Sequence, residues 1–136
     1  MDFKKLEQEL PENTQLLSLS GKDAIHSNPE VAVDMSLGLS YGSSNKLLCL
    51  MHFTSFLRAL SSISQIGYLG RESIYFVVVY NKETFKFKHL AHKSLAFGLG
   101  FNVFDYKDQD TDGANSKSML EIIDRLPGPV CIFIEQ

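Results

Sequence analysis

The chain has 136 residues, enough for one domain with a real core and no need of disulfide staples. Its apolar and charged fractions, 44% and 21%, are ordinary for a globular protein, and its net charge is −3 with lysines and arginines dispersed. That balance excludes a phosphate-backbone binder, which needs a basic face, and leaves room for a basic partner. The first residues, MDFKKLEQELPEN, hold no apolar signal core, so the expectation is a soluble, cytoplasmic protein.

In chain order, Asp2 to Leu10 reads as a short helix with Phe3, Leu6 and Leu10 on one side, stopped by Pro11. Thr14 to Ser20 is a short strand, and Gly21 to Pro29 a polar loop. From Val31 to Tyr41 apolar residues alternate with small or polar ones, which predicts a strand with one face in the core. Gly42 to Asn45 breaks that pattern. A helix apolar over most of its girth is then expected from about Asn45 to Gln65, placed at the centre of the fold. Its charged and polar residues argue against a membrane span.

Gly67 to Arg71 is a turn, and Glu72 to Tyr80 a strand. IYFVVVY is continuously apolar, as befits a central strand covered on both faces. Glu83 to Phe97 reads as a crossover helix, with a hairpin from Phe85 as the alternative. Phe101 to Tyr106 is a strand, Lys107 to Asn115 an acidic loop, Ser116 to Leu126 a helix, and Pro129 to Ile134 the last strand. The β-α-β-α-β order of this half predicts a three-layer α/β domain with a mixed, mainly parallel sheet. The early strand pair would supply the antiparallel edge.

Several motifs bear on chemistry. Gly38-Leu39-Ser40-Tyr41-Gly42 matches G-x-S-x-G, in which Ser40 would be a nucleophile exposed at a sharp turn. An acid exists at Asp105, but all four histidines precede it, so the usual order of nucleophile, acid and base is incomplete. Asp108, Asp110 and Asp112, followed by Gly113, match the opening of a calcium loop. The twelfth position is Met119 where a bidentate Glu is needed, so only a looser Ca or Mg site is compatible. Asp105 ends a strand that should be parallel, near the carboxyl edge where α/β sheets place ligands. Cys49 and His52, with His89 and His92, are potential metal ligands one helical turn apart. The two cysteines, Cys49 and Cys131, sit in apolar runs and read as buried free thiols. Lys82, Lys86, His89 and Lys93 would share one solvated helix face.

No catalytic set is complete, which favours a non-enzymatic protein-binding domain. An inhibitor, antitoxin or immunity-type protein neutralising a toxin or enzyme is the concrete form, with Asp105, Asp108, Asp110 and Asp112 meeting a basic partner. The alternative is a small metal-dependent or serine hydrolase centred on Ser40 and the Asp105–Asp112 loop.

Overall fold

A computed structural model describes residues 3–42, 44–81, 91–107 and 114–135. Five strands form one sheet: β1 (Thr14–Ser18), β2 (Lys46–His52), β3 (Ile74–Tyr80), β4 (Asn102–Lys107) and β5 (Val130–Glu135). Their spatial order is β1-β2-β3-β5-β4. Every pairing is parallel, so the expected antiparallel edge is replaced by a parallel one, with Thr14 opposite Lys46. The helices are α1 (Phe3–Glu9), α2 (Pro29–Gly42), α3 (Phe53–Arg58), α4 (Leu60–Leu69), α5 (Ala91–Gly98) and α6 (Ala114–Arg125).

Right-handed crossovers dictate where these helices lie. The steps β1 to β2, β2 to β3 and β3 to β4 all run in one direction across the sheet. Their helices α2, α3, α4 and α5 therefore cover one face, where Ala32, Val33, Phe53, Phe56, Ile63, Ile66 and Ala96 meet Cys49, Phe76, Cys131 and Phe133. The step β4 to β5 runs backwards, so α6 covers the other face. There Met119, Ile122 and Ile123 join Leu6 of α1 against Tyr75, Val77 and Ile132. β3 and β5, covered on both sides, are apolar along nearly their whole length and buried to match.

Two sequence expectations are corrected. Val31 to Tyr41 is helix, not strand. Asn28 caps it: its Oδ1 accepts from the backbone N–H groups of Glu30 at 2.9 Å and Val31 at 3.4 Å, and Pro29 occupies the first helical turn. The buried positions are Ala32, Val33, Ser36 and Ser40, a helical spacing. The apolar residues at 31, 35 and 39 lie on the opposite, exposed stripe. The supposed central helix from Asn45 begins instead as β2, and helix starts only at Phe53. A bend at Ala59 divides α3 from α4, although the Ile63 N–H still bonds the Ala59 carbonyl at 2.9 Å.

The layer of four helices is tight where α4 meets the end of α5. A Cβ at Gly67 would lie 1.9 Å from the Leu99 carbonyl oxygen, so only glycine permits that approach. On the other face, the carboxyl end of α6 is held by side chains from the sheet. The Lys46 ammonium donates to the Ile123 carbonyl, and the Tyr75 hydroxyl to the Leu126 carbonyl at 2.5 Å. These donors satisfy carbonyls that a helix end leaves unbonded. No helix among the described residues is long and apolar enough to cross a membrane.

Candidate functional site

In a parallel sheet, loops leaving the carboxyl edge open a crevice where neighbouring connections depart to opposite faces. Here the chain leaves β3 over one face and β4 over the other, with β5 between them. The side chains gathered at that point are Tyr80 from the end of β3, Asp105 from β4, and His92 and Lys93 from α5.

The local sequence places each of them. Along β4, Val103 and Asp105 face the four-helix side and Phe104 and Tyr106 the other. Asp105 lies opposite Phe133 in register, so it is an acid set beside an aromatic core. On α5, His92, Leu95, Ala96 and Leu99 follow helical spacing, and His92 takes an inward place that an apolar residue would ordinarily hold. It is 8% exposed. Its ring packs on Phe133 at 4.7 Å, Tyr80 at 4.9 Å and Phe53 at 6.1 Å between centroids.

Asp105 is the hub. Its Oδ1 accepts from the Tyr80 hydroxyl at 3.2 Å. Its Oδ2 lies 3.3 Å from His92 Nε2 and 3.2 Å from the Lys93 ammonium. Burial, followed by the charge and hydrogen bond of Asp105 and then Glu135, pushes the Tyr80 phenol up. Tyr80 therefore stays a neutral donor through the physiological range. Both carboxylate oxygens are engaged, so the group's evident work is to anchor α5 to the sheet edge. Lys93, expected on a solvated basic face, instead closes an ion pair.

Ser40 is elsewhere. It lies near the end of α2, which leads into the amino end of β2, so it belongs to the opposite edge of the sheet from Asp105. Its hydroxyl donates to the Leu37 carbonyl at 2.6 Å and accepts from Arg71 Nε at 3.2 Å. Arg71 Nη2 also reaches the Ser40 carbonyl at 3.0 Å, and its guanidinium lies over the Tyr41 ring. This is a cation closing a helix carboxyl end. G-x-S-x-G here is helix, with no sharp turn to expose the hydroxyl.

Asp108, Asp110, Asp112 and His89 lie outside the described residues. Among those described, no three His, Cys, Asp or Glu groups come together to hold a metal. Cys49 and His52 stand on a strand, not a helix; Cys49 is buried and His52 exposed. Both cysteines are free and buried. Burial pushes the Cys49 thiol up to about 12, partly offset by a hydrogen bond with Ser36, and burial pushes Cys131 up as well.

No protein-family model matches this chain, and no curated protein matches it. Solved structures do. One is a protein from Mycobacterium smegmatis described as a thiamin diphosphate-dependent enzyme, similar over 96% of this chain and 29% of its own, with TM-score 0.66 and 14% identity. Another is transketolase from Leishmania mexicana, similar over 80% of this chain and 17% of its own, with TM-score 0.56 and 14% identity. The chain spans less than a third of either protein. At this identity the likeness establishes the α/β architecture alone. It also corrects the expectation of an immunity protein, inhibitor or antitoxin: the structures similar to this chain are enzymes described by thiamin diphosphate or as transketolase, not proteins of those kinds.

Proposed function

We propose that this chain is a protein-docking domain, built on an α/β framework also found in thiamin diphosphate-dependent enzymes, that works seated against a companion protein domain. The observation that carries this reading is the outer surface of the four-helix layer. Met35 and Leu39 of α2 are 41% and 44% exposed, Tyr68 of α4 is 90% exposed, and Phe97 of α5 is 74% exposed. Val31, Tyr41 and Leu69 extend the same surface. Single exposed apolar residues are ordinary, but large ones on three adjacent helices mark a surface meant to be covered.

The architecture supports the same reading. In both similar structures this fold makes up less than a third of the chain, so it stands there beside further protein. Glu30 and Asp34, exposed along α2, give the surface an acidic border that suits a basic rim on the companion. The domain would work in the cytoplasm, in keeping with its two unpaired buried thiols.

The test is to compare the wild-type chain with a Met35→Glu/Leu39→Glu variant, by sedimentation velocity and by affinity capture from a lysate of the native source. The reading expects a stoichiometric protein companion, or a second copy, bound by wild type and lost from the variant at unchanged fold. A wild-type chain that stays monomeric and retains no companion overturns it.

A further inference from the structure

We infer that the hollow at the amino edge of the sheet, between the carboxyl ends of α4 and α5, receives an arginine side chain of the companion protein. The inference rests on the docking reading above and names the chemistry of one of its contacts. The chain carries its own template for such a contact. At the carboxyl end of α2 the penultimate residue, Tyr41, lies under the Arg71 guanidinium, 4.0 Å from the guanidinium carbon to the ring centroid. Arg71 Nη2 also donates to the Ser40 carbonyl at 3.0 Å. One planar cation thus stacks on a tyrosine and answers the negative end of a helix dipole. The penultimate residue of α4 is again a tyrosine, Tyr68, and that of α5 is Phe97. Tyr68 is 90% exposed and Phe97 74%. Neither helix has a basic residue in its last turn, and Arg71, which follows α4, is engaged at α2 instead.

The two helix ends are fixed against each other. Gly67 lies against the Leu99 carbonyl, and a Cβ at Gly100, whose φ is +96°, would meet the Gly67 carbonyl oxygen at 2.9 Å. Two negative dipole ends therefore converge on one place. Backbone N–H groups cap the carbonyls of Ile66 and Gly67 in α4 and of Leu95, Ala96 and Phe97 in α5. The later carbonyls, of Tyr68, Leu69 and Gly98, take no backbone donor among the described residues. A guanidinium brings N–H donors in a planar fork, which suits such acceptors.

The space between them has a matching character. It holds about 780 Å³, with Tyr68 and Leu69 on one side and Gly98, Leu99 and Gly100 on the other, and none of its lining side chains is charged. An incoming cation meets an aromatic ring and helix-end carbonyls, and no like charge among the lining residues. The chain segments that bound it, 70–73 and 99–101, belong to the described residues. Glu30 and Asp34 on the exposed side of α2 attract the same kind of partner. Arginine suits the site better than lysine, because its guanidinium is planar, weakly hydrated and able to stack, as Arg71 does on Tyr41.

The test is an NMR titration of the full ¹⁵N-labelled chain with three probes: N-acetyl-arginine amide, N-acetyl-lysine amide and N-acetyl-leucine amide. Saturable shifts centred on the backbone amides of 64–70 and 97–100 are expected with the arginine probe, weaker ones with lysine and none with leucine. Equal shifts with leucine would make the hollow a plain apolar surface and overturn the inference. So would lysine binding as tightly as arginine, or no saturable shift with arginine. Tyr68→Leu keeps an apolar side chain at an exposed position and removes the ring, so the fold should hold while arginine binds about tenfold more weakly. Unchanged arginine binding in that variant overturns the stacking role. The titration needs no companion, so the arginine site can fail while the docking reading stands, and the docking test can fail while the titration succeeds.

Discussion

The two faces of the sheet are finished differently. α6 on one face is an ordinary amphipathic helix: Met119, Ile122 and Ile123 go inward, while Lys117, Glu121, Asp124 and Arg125 meet solvent. α2 on the other face is apolar both ways. Ala32 and Val33 go inward, with Leu37 half-buried beside them, while Val31, Met35 and Leu39 go outward. A helix whose outside resembles its inside belongs to a layer that expects another layer on top. The asymmetry teaches that one face closes the fold and the other leaves large apolar side chains exposed.

The largest effect should come from breaking the inner surface of the open face. Phe56 is fully buried, stacked on Phe53 and edge-on to Phe133 at 5.6 Å. Phe56→Ala should cost about 3 to 5 kcal/mol through lost burial and the remaining cavity. Urea unfolding measures it. A cost under about 1 kcal/mol would mean that this layer is loosely packed and that its open outside reflects poor order.

Alkaline pH should act on the same face, since Cys49 and Cys131 both point into it. Each has a folded pKa above its unfolded value, so its contribution is fully present below about pH 9 and is lost as pH rises. For Cys49 the loss runs from its ordinary 9.0 to about 12. Within that window each thiol removes about 1.4 kcal/mol of stability per pH unit. Denaturant midpoints should hold up to about pH 9 and fall steadily above it. Cys49→Ala/Cys131→Ala should start lower but fall less steeply. Equal slopes would place the sensitivity elsewhere, with Tyr80 the next group to examine.

The same asymmetry explains what could be read from the residues. α6, β3 and β5 were legible because each carries one pattern: a single inward stripe, or an unbroken β-branched run. α2 was not, because apolar residues on both of its sides add up to a false alternation. The signal that resolves it is local: Asn28-Pro29-Glu30 is a cap, a first-turn proline and an early acid. β2 ran into α3 without a polar break, so strand and helix merged into one apolar stretch. At the carboxyl edge, Asp105 was found from its strand-end position. His92 reads in the sequence only as a potential metal ligand one turn from His89, because a histidine inside an apolar helical stripe carries no sign of its partner. Its pairing with Asp105 depends on α5 crossing β5, which no local pattern encodes.

On the closed face, Tyr75→Phe should cost about 1 kcal/mol, the net worth of a typical hydrogen bond. The phenol donates to the Leu126 carbonyl and so ties the end of α6 to β3. Hydrogen exchange should report the loss as faster opening of the last turn of α6, with α2 unaffected. Faster exchange in α2 as well would mean that the two faces open as one unit, which would weaken the contrast drawn here.

The smallest effect on stability decides the most. Leu39 lies on the outward stripe of α2 and is 44% exposed, so Leu39→Glu should change the unfolding free energy by no more than about 0.5 kcal/mol. If the stripe is a docking surface, the same change should abolish companion binding, because a carboxylate would be buried without a partner. Binding lost at unchanged stability would assign the outer surface to recognition. Stability lost along with it would mean that α2 depends on its outer residues for its own fold, and the contrast between the faces would become one of packing alone.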